Sequence, residues 1–208
     1  MKHLARIVGI LLVLTCGAGA ATYYVGQGSG NGSGTANNPF TTFSAALSAA
    51  QPGDTVLVLP GVYTSAGAIH TVRNGVAGQR IVIRGLDPLN RPVIQVNGKV
   101  ASIDHAYITL ENLILDAGFA ASDAVKISGG GDSAVLRGCE IRNGTKDGVD
   151  ISDADNVLIE NCSIHHFLAG TFTSHQDAHG IVATGEKNLT IRGCEIFYVS
   201  GDCFQTDP

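Results

Sequence analysis

Short apolar runs with in-and-out alternation return along this chain at a nearly steady interval. Five superimpose without internal gaps: Ile81-Val82-Ile83-Arg84-Gly85-Leu86, Ile108-Thr109-Leu110-Glu111-Asn112-Leu113, Ala134-Val135-Leu136-Arg137-Gly138-Cys139, Val157-Leu158-Ile159-Glu160-Asn161-Cys162 and Leu189-Thr190-Ile191-Arg192-Gly193-Cys194. Their charged positions, Arg84, Glu111, Arg137, Glu160 and Arg192, stand 27, 26, 23 and 32 residues apart. A weaker sixth copy is Val56-Leu57-Val58-Leu59-Pro60-Gly61-Val62. A period of this size marks a solenoid, whose units bury their apolar faces only by stacking. Period-two alternation and β-branched residues make each unit a set of strands.

The columns formed by stacking have physical meanings. Ile83, Leu110, Leu136, Ile159 and Ile191 are apolar throughout and face inward. The next column alternates in charge, and rungs about 4.8 Å apart turn it into an outward ladder of ion pairs. Gly or Asn follows at a bend, where positive φ costs little. Beyond the bend an inward column reads Leu86, Leu113, Cys139, Cys162 and Cys194. These cysteines and Cys203 are an even set, which suggests disulfides in an exported chain. A core stack of free thiols explains the same positions.

A second strand aligns as Ala124-Val125-Lys126-Ile127, Gly148-Val149-Asp150-Ile151, Gly180-Ile181-Val182-Ala183 and Asp202-Cys203-Phe204-Gln205, and further short strands follow each bend. The expected fold is all-β: a right-handed, single-stranded parallel β-helix with three strands per coil. Phe40–Gln51 carries apolar residues at helical spacing before Pro52-Gly53-Asp54, so a short N-terminal helix is expected to cap the first coil. The expected organisation is a signal peptide over 1–20, a cap over 21–54 and coils over 55–208. The last strand runs to Asp207-Pro208 without a cap, so further coils or some other cover are expected beyond it.

Lys2, His3 and Arg6, then the apolar Ile7–Leu14 and Ala18-Gly19-Ala20, have the form of a cleavable export signal. Cys16 offers a lipoprotein alternative, for which Thr15 is a poor match. A secreted or periplasmic monomer with no membrane span after cleavage is expected. The chain has 27 Gly, no Trp and a net charge of −5. It has no basic run, so nucleic acid is not an expected partner.

Gly34-Thr35-Ala36-Asn37-Asn38-Pro39-Phe40-Thr41-Thr42-Phe43, Pro52-Gly53-Asp54-Thr55-Val56 and Pro60-Gly61-Val62-Tyr63 resemble the N-terminal signature of the pectate lyase-like β-helix superfamily. That superfamily includes chondroitinase- and alginate-lyase-type enzymes, so the resemblance implies a β-helix and a polysaccharide substrate or ligand. Asp147-Gly148-Val149-Asp150-Ile151, running on to Asn156–Cys162, is similar to the polygalacturonase family around its first catalytic Asp. Where that family has paired aspartates, this chain has Ala178-His179, which leaves inverting hydrolysis without its second carboxylate.

Two features are candidates for chemistry. The longest interval places an insertion between Ile164 and Gly180 holding His165, His166, His175 and His179, four of the seven histidines. It reads either as a solvated loop or as a place for substrate contacts, above all through His165, His166 and His175, for a base, or for a transition metal, although no HExxH or Cys/His pattern supports zinc. The second feature is the column Asp123, Asp147, His179, beside outward Lys126 and Asp150. Carboxylates about 5 Å apart on adjacent rungs share a cation or raise a pKa. Asp123, Asp147, Asp150 and Asp177 are thus candidate calcium ligands, with Lys126, Lys146 or His179 as base. The plainer alternative is one more Lys126–Asp150 ladder pair, with the aspartates capping turns. Three functions compete: a lyase on an acidic glycan, a non-catalytic glycan- or protein-binding surface β-helix, and a polygalacturonase-type hydrolase.

Overall fold

The computed structural model describes residues 19–28, 31–171 and 173–207, with only the backbone of His175. The expected signal peptide and the Cys16 lipoprotein alternative lie outside these residues, apart from Gly19 and Ala20. Among the described residues, three parallel sheets of seven, six and six strands wind as a right-handed β-helix.

The first sheet stacks Thr22–Val25, Thr55–Val58, Ile81–Gly85, Ile108–Glu111, Val135–Arg137, Leu158–Glu160 and Thr190–Arg192. Ile83, Leu110, Leu136, Ile159 and Ile191 are direct register partners, fully buried except at Ile191. Outward, Arg137 lies 3.8 Å from Glu111 and 2.5 Å from Glu160, which Arg192 also meets at 2.5 Å. Arg84 keeps its place opposite Glu111.

The second sheet comprises Val62–Tyr63, Val93–Gln95, Ile114–Ala120, Glu140–Gly144, Ser163–Phe167 and Glu195–Val199. Single left-handed residues Asn112, Gly138, Asn161 and Gly193 (φ 54, 60, 53 and 62°) turn the chain into it. A Cβ on Gly138 would lie 2.6 Å from Asn112 Oδ1, and one on Gly193 would lie 2.4 Å from Asn161 Oδ1. Each Asn side chain therefore fills the space above a bare glycine.

Leu86 departs from the expected inward column. It is 45% exposed. Gly85 extends its strand without positive φ, so no bend turns the chain inward there, and the loop to Val93 carries Leu86 outside. Leu113, Cys139 and Cys162 do form the buried stack, and all four described cysteines are free. The Cys162 thiol is held above its ordinary pKa by its hydrogen bond with Cys139 and by burial.

The third sheet contains Ile69–His70, Ala101–Ile103, Val125–Ile127, Val149–Ser152, Ile181–Thr184 and Phe204–Asp207. Its last strand corrects the sequence alignment by one residue, because Ile181 pairs with Phe204, not Cys203. A one-residue slip exchanges faces. It sets Phe204 on the rung of buried Ile181, where it is still 44% exposed, and leaves Cys203 exposed.

The N-terminal helix is Phe43–Ala49, with the Thr42 hydroxyl accepting from Ala45 N at 3.2 Å. Phe43, Ala46, Leu47 and Ala50 are buried, and the helix packs on Thr22–Val25 and Ile69–His70. The expected insertion is an antiparallel hairpin, Ala169–Thr171 with Ser174–Gln176. Among the described residues no helix is long and apolar enough to cross a membrane.

Candidate functional site

Register in the third sheet assembles one column at its entry. Val125, Val149, Ile181 and Phe204 are successive partners, so Asp123, Asp147, His179 and Asp202, each two residues earlier, stand on successive rungs. The period exposed the first three. Asp202 escaped notice because its strand was misaligned by one residue.

Each acidic group on the inner rungs has acquired a basic partner. Lys146 Nζ lies 3.1 Å from buried Asp123 Oδ1, an ion pair too poorly angled to count as a hydrogen bond. That close approach and the Asp123 charge raise the Lys146 ammonium above its ordinary pKa; Asp147 and Asp150 contribute less, against a desolvation cost. Lys146 is therefore a persistent cation. Lys126 meets Asp150 at 2.5 Å and Ser152 at 2.6 Å, the ladder pairing that competed with a metal role.

His179 is the best-oriented group in the column. Its backbone N–H and Nδ1 both bond Asp147 Oδ1, at 2.8 and 2.9 Å. A carboxylate at Nδ1 selects the tautomer that donates there and leaves Nε2 as the basic nitrogen. A Cβ on Gly201 would stand 2.8 Å from Nε2, so the backbone there packs against that edge of the ring and only glycine fits. The same Cβ would lie 3.1 Å from Cβ of Asp177, which places exposed Asp177 beside this ring.

Among the described residues, no three His, Cys, Asp or Glu side chains gather to hold a metal ion. Calcium seeks six to eight oxygens (about 2.3–2.6 Å away). Asp123, Asp147 and Asp150 each face a basic partner in this arrangement.

The other histidines lie elsewhere. His165 and His166 belong to Ser163–Phe167 on the outer face of the second sheet, with their Nδ1 atoms 2.6 Å apart. His165 stacks on Phe197 at 4.8 Å and lies 3.5 Å from Glu140. His175 pairs with Gly170 in the hairpin through its backbone. The insertion thus does not bring its four histidines together. Residues that the sequence reading passed over flank His165 and His166: Arg142, Asn143, Phe197 and Tyr198. Arg142 reaches Asp116 at 2.8 Å and Glu140 at 2.7 Å, and Asn143 bonds Asp116 at 2.9 Å. Their signal was alternation: the outward column Gln95, Asp116, Arg142, His165 and Phe197 carries a ring or a hydrogen-bonding group at every rung.

A family model described as "Pel9A-like, right handed beta helix region" matches residues 22–205. Among solved structures, pectate lyase Pel9A aligns at TM-score 0.62 and 18% identity, over 90% of this chain and 50% of its own. A rhamnogalacturonan lyase aligns at 0.59 and 14% identity, over 91% of this chain and 63% of its own. An alginate lyase from Paenibacillus sp. str. FPU-7 aligns at 0.54 and 17%, over 84% and 65%. The chain therefore spans half to two thirds of the lengths of these proteins. No curated protein sequence matches it.

Proposed function

The chain belongs to the Pel9A-like right-handed β-helix family, and from that premise we propose that it is an exported lyase cleaving a uronate-containing polysaccharide by β-elimination. The observation carrying the reading is the His179–Asp147 dyad, two hydrogen bonds to one carboxylate oxygen, one rung from Lys146–Asp123.

Elimination needs the uronate carboxylate neutralised, which acidifies the proton α to it, and a base to remove that proton. Here Lys146 is the neutralising cation, since its raised pKa unsuits it as a base. Nε2 of His179 takes the α-proton, and Asp147 stabilises the imidazolium that forms. The electrons form a carbon–carbon double bond to the adjacent ring carbon as that carbon's bond to the linking oxygen breaks, and the leaving oxygen gains a proton from water. Lys126, held by Asp150 and Ser152, has a structural role in this scheme. A polygalacturonase-type hydrolase is disfavoured, because Ala178 is fully buried where a second carboxylate would be required.

The test follows the ultraviolet absorbance of unsaturated uronate ends on polygalacturonate and alginate. His179→Ala is expected to lower turnover about 100-fold or more, the usual scale of a lost general base. Lys146→Ala should be similarly impaired, with Lys146→Arg retaining activity. Undiminished turnover in His179→Ala sinks the assignment. Activity lost to a chelator and restored by calcium would transfer the neutralising role from Lys146 to the ion.

A further inference from the structure

The two bends that bound the second sheet share a backbone conformation but differ in most of the residues that adopt it. At its entry the left-handed positions are Asn112, Gly138, Asn161 and Gly193. Asn and Gly adopt that conformation most cheaply. At its exit they are Phe119, Asn143, His166 and Tyr198 (φ 56, 62, 60 and 52°). Asn143 and His166 are of types enriched at positive φ, but the bulky Phe119 and Tyr198 are outliers there, and such strain concentrates at functional sites. Burial does not compensate them, because Phe119 is 54% and Tyr198 65% exposed.

These rings form a file. Register places Asn143 beside His166 and His166 beside Tyr198, and a shift between Arg142 and Gly144 swings Phe119 out next to Asn143. Three rung steps give the file a length of about 14 Å. Tyr198 meets His166 at 5.0 Å and Phe197 at 5.3 Å, and Phe197 stacks on His165. The polar groups behind the rings are internally neutralised. Buried Asp116 holds Arg142 and Asn143, while Glu140 holds Arg142 and Arg91. The charged groups directly behind the rings are therefore paired with one another, and the surface presents exposed rings beside planar hydrogen-bonding groups.

We infer that this file is a polysaccharide-binding platform separate from the His179 column, stacking the apolar faces of successive pyranose rings on Phe119, His166, Phe197 and Tyr198. Sugar rings offer C–H faces for stacking and equatorial hydroxyls for side chains such as Asn143. The platform does not depend on the elimination chemistry.

Asn is the cheap residue at positive φ, which supplies a clean variant. The full chain, with Phe119→Asn and Tyr198→Asn combined, is run in native gels containing polygalacturonate, alginate or uncharged hydroxyethylcellulose. The wild type should be retarded by at least one of them, with retardation weakened tenfold or more in the double variant and its Tm unchanged or raised. His179→Ala should be retarded like the wild type. Overturning results are no retardation of the wild type, full retardation of the variant, or a fall in the variant's Tm, which would make the rings structural.

Discussion

At His165, burial and a neighbouring carboxylate pull in opposite directions. Desolvation lowers its pKa, with His166 and Arg142 adding to that, while Glu140 opposes through charge and a hydrogen bond; the net direction is down. The folded state therefore prefers the neutral ring. Between the depressed folded pKa and the ordinary value near 6.5, the unfolded chain binds more protons, so stability falls as pH drops through that window. Replacing His165 by Gln should flatten the decline in Tm from pH 7 to 5, and an equally steep decline in the variant would remove His165 as its source. Glu160, depressed by hydrogen bonds from Arg137 and Arg192, gives a loss of the same sign at lower pH that His165→Gln leaves in place. At this scale the sequence was partly legible. Repeat spacing marked Asp147 and His179 as neighbours, but hydrogen-bond direction and the bare Gly201 beside the ring depend on side-chain placement that spacing does not encode.

Elements were legible wherever a local rule and a stacking rule agreed. The capping helix shows this: helical spacing of Phe43, Ala46, Leu47 and Ala50 anticipated the buried face, and Thr42 ahead of it closes the first turn. Thr42→Ala should lower stability by about 1 kcal/mol, the usual worth of an N-cap. Chemical denaturation reads this directly, and no change would mean that packing on Ile69–His70 carries the helix alone. Elements were misread where one rule broke. Gly85 resembles the bend glycines but stays extended, and Cys203 matches the apolar pattern as well as Phe204 does. The hairpin between Ile164 and Gly180 was legible only as extra length, since its strands are three residues each.

At the scale of the molecule, the repeat dictates which side chains become neighbours, so one-dimensional spacing was enough to assemble Asp123, Asp147 and His179 of the third-sheet column, though not Asp202. It did not reveal the ring file on the second sheet, because aromatic residues at exposed bends obey no packing rule. The Asn–Gly alternation at the first bend and the Arg–Glu alternation just before it have a shared consequence. Both reverse sign at every rung, so the true translational unit is a pair of coils, and the molecule has parity. Copying 138–160 in tandem would set Glu beside Glu and glycine over glycine. Copying 112–160 preserves both sequences of contacts. Thermal melts should show the single-coil duplicate destabilised and the double-coil duplicate at least as stable as its parent, so that such a chain lengthens evenly only in steps of two storeys.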